Sequence, residues 1–163
     1  MKKELPAGRL HPRLLLDPVH FFALGFGAGL SPWAPGTMGT LVAAPLIIGI
    51  GSLGSLAHLY AAILFTVIGV PLCAASARKL GRHDHPAIVW DEIAGYAITM
   101  LGAPLTYEWL LTGFVAFRIL DIVKPWPIRE ADHRLGGGLG IMLDDVMAGV
   151  IAGLALYALN NVF

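Results

Sequence analysis

The sequence predicts an all-α, polytopic membrane helical bundle: about five transmembrane helices preceded by a short N-terminal interfacial or re-entrant helix. Composition is the first reason, because 56% of the 163 residues are hydrophobic and only 13% are charged, where a soluble domain carries about 25% charged residues. The second is a set of apolar stretches near the roughly 20 residues that cross a bilayer core. The third is where the charge lies. All eleven Lys and Arg residues fall in the N-terminal tail, in 78–82 or in 118–134.

One domain over 1–163 fits this length, with 1–16 a cytosolic tail. Zero net charge gives no reason to expect a nucleic-acid partner. The single cysteine, Cys73, excludes an internal disulfide framework and a Cys-rich zinc site, and reads as a small packing or lipid-facing residue. A basic start followed by "FFALGFGAGL" resembles a signal peptide, but Asp17 and Pro18 interrupt the junction and no small-x-small site follows, so the segment is expected to be retained.

Taken in order, Asp17 and Pro18 cap and start a short helix running to Leu30, too short to span. The first two spans are Thr40 to Leu56 and Leu59 to Ala77. The stretch from Ile88 to Val123 is too long for one span and breaks at "LGAPLTYE", where Gly102 and Pro104 mark a turn, giving two shorter helices. Leu143 to Phe163 is the last. Positions 52–58, 102–108 and 160–163 carry no Lys or Arg, so the positive-inside rule puts them outside and the basic regions in the cytosol.

The acidic residues follow the basic ones to the same side, with Glu108 alone opposite. Several stand at helix ends rather than in loops: Asp91 and Glu92 in "VWDEIAGY", Asp121 in "FRILDIVKPWP", Asp144 and Asp145 in "GIMLDDVMAG". A carboxylate at the centre of a membrane helix costs about 2.5 to 3.5 kcal/mol on insertion scales, so such groups point to function. For any single pair the alternative is capping of a helix N-terminus. Three acidic sets on one face point instead to a common site. Two carboxylates about 5 Å apart repel by roughly 3 kcal/mol at an effective dielectric of 20, so positive charge must sit among them. Oxygen donors without a His or Cys cluster suit Mg²⁺ better than Zn²⁺.

Two further stretches suit a phosphate. In "SPWAPGTMGT", Pro32 and Pro35 stiffen the approach to the first span, Gly36 and Gly39 allow close backbone approach, and Thr37 and Thr40 offer hydroxyls near a helix start. A plain turn into a helix is the alternative. Arg118, Asp121 and Lys124 recur every third residue, along one side of a helix that Pro125 ends. Their cations would hold phosphate oxygens; otherwise they snorkel. The glycines at 136–138 and 140 read as a flexible linker, Trp90, Trp109 and Trp126 as an interfacial belt, and His83 and His85 as loop histidines. Gly149 and Gly153 form a small-residue face for close helix packing.

Elimination narrows the chemistry. Arg78 stands at the wrong spacing from Cys73 for a cysteine phosphatase loop, and neither an Asp-x-Asp-x-Thr nor a Pro-Ser-Gly-His sequence is present. Metal-activated water attacking phosphorus remains. A cation transporter or channel is the rival; it would place the acids near the bilayer centre with access from both sides. A purely structural subunit leaves the polar clustering without explanation, and the spaced Asp-x-x-Asp-Gly pattern of a phosphatidyltransferase is absent.

"GFGAGLSPWAPGTMGT", "HDHPAIVWDEIAGY", "FRILDIVKPWPI" and "GGGLGIMLDDVMAGV" together resemble the phosphatidylglycerophosphatase A family of bacterial inner-membrane lipid phosphatases, a likeness running from about Phe22 to Gly153. The N-terminal tail and the second span match it poorly. The resemblance implies Mg²⁺-dependent hydrolysis of the phospholipid phosphatidylglycerophosphate to phosphatidylglycerol and phosphate, in a multi-pass protein of the inner membrane. It points to Asp91, Glu92, Asp121, Asp144 and Asp145 as the acidic, metal-holding set. Thr37, Gly39, Thr40, Arg118 and Lys124 would surround the phosphate. Within that set we expect Asp145 or Glu92 to take the proton from water, Asp121 to join them at the reacting centre, and one or two metal ions to be held at the cytosolic interface.

Overall fold

A computed structural model describes residues 10–83, 85–129 and 136–162. The tail expected over 1–16 therefore lies outside the described residues up to position 9. Among the described residues the chain is helical, with no strand. A 3₁₀ turn, Pro12–Leu16, leads to α1 (Pro18–Ala23), a second 3₁₀ segment (Gly25–Leu30), α2 (Pro35–Gly51) and α3 (Ser55–Leu80). Then come α4 (Trp90–Thr99) with a closing 3₁₀ turn (Met100–Gly102), α5 (Tyr107–Val123) and α6 (Gly137–Asn160).

The start of α1 follows the sequence reading: Val19 N–H donates to the Asp17 carboxylate at 2.9 Å and Pro18 fills the first helical position. The helix ends at Ala23 rather than Leu30, because Gly25, Phe26 and Gly27 all take positive φ, 55°, 58° and 102°, and turn the chain. Three bonds tie this segment down. Lys79 pairs with Asp17 at 2.5 Å, and its ammonium holds that carboxyl below the usual range. His20 Nδ1 and Ser76 Oγ share a hydrogen bond of 2.9 Å, and Val89 N–H donates to the Ala23 carbonyl at 2.9 Å. The N-terminal segment thus lies against the end of α3 and the lead into α4.

At the centre of the bundle stands α4, in contact with α2, α3, α5 and α6. Its Ile93, Ala94, Tyr96 and Ala97 are all buried. Trp90 is not a belt residue. It is 6% exposed, and its indole N–H donates to the Phe65 carbonyl at 2.9 Å. The helix has 10 residues, which at 1.5 Å each rise about 15 Å, half a bilayer core. The break expected at Gly102 and Pro104 is present, with α5 resuming at Tyr107.

Backbone meets backbone where α4 crosses α6. A Cβ on Gly149 would lie 2.4 Å from the Gly95 carbonyl oxygen, and one on Gly153 would lie 3.2 Å from the carbonyl oxygens of both Ile98 and Thr99. Only glycine permits the first of these approaches, which is the use the small-residue face predicted.

The start of α6 departs from expectation. The glycines at 137, 138 and 140 form its first turns rather than a linker, and a Cβ on Gly138 would stand 1.8 Å from the Val70 carbonyl oxygen of α3. Packing against α3 extends the helix six residues upstream of Leu143. Asp144 and Asp145 therefore lie about two turns inside α6, where they cannot cap it.

Five helices stand where five spans were expected, and two of them, α3 and α6, are long and apolar enough on their own to cross a membrane. The outer side of α3 exposes Tyr60, Ile63, Leu64 and Val67 in unbroken succession of turns, a surface that suits lipid rather than water. Cys73 is fully buried against the Met142 sulfur at 3.8 Å. It is a packing residue.

Candidate active site

Up-and-down connection brings the first residues of α2 and α4, the last of α5 and the first turns of α6 to one end of the bundle, where they enclose a cavity of about 350 Å³. All five predicted acids, Asp91, Glu92, Asp121, Asp144 and Asp145, line it, together with Arg118 and Lys124. One carboxylate oxygen from each of Asp91, Glu92 and Asp145 lies within 4.8 Å of the others, and the same holds for Asp121, Asp144 and Asp145. Asp145 belongs to both triplets. It is 2% exposed.

Such crowding is costly, and the cations relieve only part of it. Arg118 Nη1 donates to Asp121 Oδ2 at 2.5 Å and stands 3.7 Å from Glu92 Oε1. Lys124 pairs with Asp144. Three buried carboxylate oxygens, Asp91 Oδ1, Glu92 Oε2 and Asp145 Oδ1, and the Arg118 Nε have no hydrogen-bond partner among the described residues. Buried polar atoms are normally satisfied, so a group of orphans on side chains that line one cavity marks a place for a ligand. The oxygens ask for a cation; the guanidinium edge suits an anion.

The Pro/Gly stretch contributes differently from its sequence reading. Ala34, Pro35 and Gly36 line the cavity, whereas Thr37, Gly39 and Thr40 are not among its lining residues. Thr40 is fully buried and donates its hydroxyl to the Gly36 carbonyl at 3.0 Å. Gly39 lies under Val89, where a Cβ would meet that side chain at 2.7 Å. The helix starts at Pro35, earlier than the expected Thr40, which places those residues inside its first turns. Gly36 takes the close position instead: a Cβ there would stand 2.1 Å from Glu92 Oε1 and 3.1 Å from Arg118 Nη1. The positive end of the α2 dipole faces the cavity with it.

His83, read as a loop histidine, stands at the rim, where its Nε2 accepts from Gly137 N–H at 2.5 Å. Its place at the head of "HDHPAIVWDEIAGY" was the available signal. Glu108 lies in the first turn of α5, thirteen residues before Asp121 and so about 20 Å along the helix from the cluster. The acids gather at one end of the bundle and do not mark a path through it.

A family model described as "Phosphatidylglycerophosphatase A" matches residues 21–160. The chain is 47% identical over 160 residues to the phosphatidylglycerophosphatase A of Escherichia coli strain K12, covering 98% of this chain and 91% of that protein. It is 42% identical over 148 residues to the phosphatidylglycerophosphatase A of Haemophilus influenzae, covering 90% and 91%. A Bacteroides thetaiotaomicron protein provisionally named phosphatidylinositol-3-phosphatase is 37% identical over 134 residues, covering 77% and 83%. No solved structure matches.

Proposed function

The chain belongs to the phosphatidylglycerophosphatase A family, and from that membership we propose that it removes the terminal phosphate of phosphatidylglycerophosphate, giving phosphatidylglycerol and inorganic phosphate. The observation that carries this reading is the cavity in which Asp145 joins two carboxylate triplets with Arg118 and Lys124 on the wall. It offers one place for cations and one for an anion, side by side.

The donor set fits Mg²⁺: every side chain in the two triplets offers oxygen, and three of those buried oxygens lack a partner. Asp91, Glu92, Asp121, Asp144 and Asp145 would hold the ion or ions, which supply charge neutralisation and a more acidic water. Arg118 and Lys124 orient the phosphate oxygens, with the α2 N-terminus at Gly36 behind them. Asp145 or Glu92 accepts the proton of the attacking water, whose oxygen bonds to phosphorus as the bond to the glycerol oxygen breaks, and the carboxylic acid so formed returns that proton to the leaving glycerol oxygen. Burial of Asp145 and the close fit of Gly36 against Glu92 keep these carboxylates in fixed directions.

Phosphate release from the purified protein should be measured on phosphatidylglycerophosphate, phosphatidic acid and phosphatidylinositol 3-phosphate. Phosphatidylglycerophosphate is expected to be turned over fastest; its resistance alongside hydrolysis of either other lipid would reassign the substrate. A cation channel finds no support in this arrangement.

We further infer that the bundle is embedded in the bacterial inner membrane with the cavity facing the cytosol. Arg78, Lys79 and Arg82 end or follow α3 at the cavity end, and Thr106 precedes α5 at the other. In a Cys73→Ser background, Arg82→Cys is expected to react with an impermeant maleimide only from the cytosolic side and Thr106→Cys only from outside. Labelling of both from one side would refute that orientation.

A further inference from the structure

The substrate proposed above carries two phosphates: the terminal one that is removed and, across a glycerol, the phosphodiester that joins this headgroup to the diacylglycerol. The carboxylate cavity accounts for the first alone. A second cavity of about 290 Å³ adjoins it, lined by Ala74, Ala77, Arg78, Gly81, Arg82 and His83, with Gly137 of α6 opposite. His83 lines both cavities, so they share a wall. The first turn of α6 spans them as well, Gly137 lining the second and Gly140 the first.

Local structure explains the hollow. Ala74, Ala77, Arg78 and Gly81 recur at steps of three and four, which puts them on one side of α3. That side meets the start of α6, where a Cβ on Gly138 would lie 2.9 Å from the Ala74 Cβ. Small residues leave space between the two helices there. Gly81 then takes φ 71° and ends the helix, while the Arg82 N–H donates back to the Ala77 carbonyl at 3.2 Å. This turn carries Arg82 and His83 to the same hollow, and the bond from Gly137 N–H to His83 Nε2 fixes the shared wall.

Three cations end or follow α3, and they are used differently. Lys79 pairs with Asp17 of the N-terminal segment. Arg78 and Arg82 form no ion pair among the described residues, and no described carboxylate lines the cavity with them. The positive-inside rule accounts for their side of the membrane but not for the cavity they line. A site with two guanidinium groups and no acid takes an anion directly, without a metal ion between. A phosphodiester, with one negative charge and two free oxygens, is such an anion.

We propose that the cavity at Arg78, Arg82 and His83 is a second subsite that binds the internal phosphodiester of the substrate while the terminal phosphate occupies the carboxylate cavity, the glycerol between them passing His83. This rests on the lipid phosphatase reading and adds to it a basis for selecting lipids that carry both phosphates.

In neutral detergent without added phospholipid, Arg78→Gln and Arg82→Gln together are expected to raise KM for phosphatidylglycerophosphate at least about tenfold and to leave kcat within about threefold of the parent, because a remote diester is bound equally before and during phosphoryl transfer. Both side chains are exposed, so the fold does not rest on them. Arg13→Gln removes an exposed cation outside both cavities and should match the parent. Unchanged KM in the double variant, or the same rise in Arg13→Gln, would overturn the subsite. Binding gives a readout free of turnover. Dihexanoyl phosphatidylglycerol keeps the diester and lacks the terminal phosphate; dihexanoylglycerol lacks both. By titration calorimetry the first should bind the parent and bind the double variant at least about tenfold more weakly, and the second should bind neither. Equal affinity of phosphatidylglycerol for parent and double variant, or no binding to either, would refute the site. Arginine-dependent binding in a parent that releases phosphate from no lipid would keep the subsite and remove the phosphatase reading.

Discussion

Asp145→Asn is expected to lower phosphate release at least about a hundredfold, equivalent to roughly 2.7 kcal/mol of transition-state stabilisation. The amide is nearly the size of the carboxylate but carries no charge and only one good acceptor oxygen. Asp145 is the acid common to both triplets, so this single change alters both of the groups that could hold a cation. Loss of fold should not mimic loss of chemistry here. Removing one negative charge from five crowded carboxylates relieves repulsion, so the variant should express and remain monodisperse in detergent. Asp121→Asn, which leaves Arg118 without its nearest partner, should fall in the same range. Glu108→Gln, at the other end of α5, should remain within a few-fold of the parent. Parent-level turnover in Asp145→Asn would remove that residue from the reacting centre, and a large loss in Glu108→Gln alone would put the site at the wrong end of the bundle.

Stripping divalent ions should abolish turnover, and Mg²⁺ should restore it. The orphaned oxygens of Asp91, Glu92 and Asp145 are the reason: buried carboxylates without a partner are costly, and a hard cation satisfies several at once. A set without nitrogen or sulfur donors gives Zn²⁺ no advantage of the kind it finds in His and Cys sites. Full activity in excess EDTA after prior stripping would exclude a metal mechanism. Melting in detergent offers an independent reading, because an ion that binds only the folded protein stabilises it by mass action. Mg²⁺ is expected to raise the melting temperature of the parent and to have little effect on Asp145→Asn. An equal rise in both would mean the ion binds elsewhere.

How much of this was legible in the sequence depended on whether a feature is local. The start of α1 at Asp17 and Pro18 could be read directly, since capping and proline geometry are decided within a few residues. So could the break before α5 and the acidic set itself, because the cost of a carboxylate in an apolar helix belongs to that helix alone. Features decided between helices were hidden. The glycines at 136–140 look like a linker until the Val70 carbonyl is known to lie against Gly138. Moving the start of α6 back to Gly137 changed Asp144 and Asp145 from possible caps to residues of the helix interior. Likewise the early start of α2 turned Thr40 onto its own helix and brought Gly36 to the cavity. Trp90 went inward because Phe65 of α3 offers its indole a carbonyl. No periodicity within α4 could reveal that.

The glycine crossing of α4 and α6 also sets the depth of the chemistry. Both helices begin at the cavity end and run in the same direction, with Gly95 opposite Gly149 and Thr99 opposite Gly153. One turn back along that shared register, Asp91 stands level with Asp145. The contact is made by main-chain atoms, so the two carboxylates are indexed to each other by the backbone itself, like teeth on matched gears. Side chains on the outer surface of α6, such as Val150 and Leu154, can vary without disturbing that alignment. A single residue inserted between Asp145 and Gly149 would instead rotate the carboxylate about 100° around the helix axis and raise it by about 1.5 Å, out of mesh with Asp91. The four-residue interval from acid to glycine, repeated on both helices, is what holds the two acids in step.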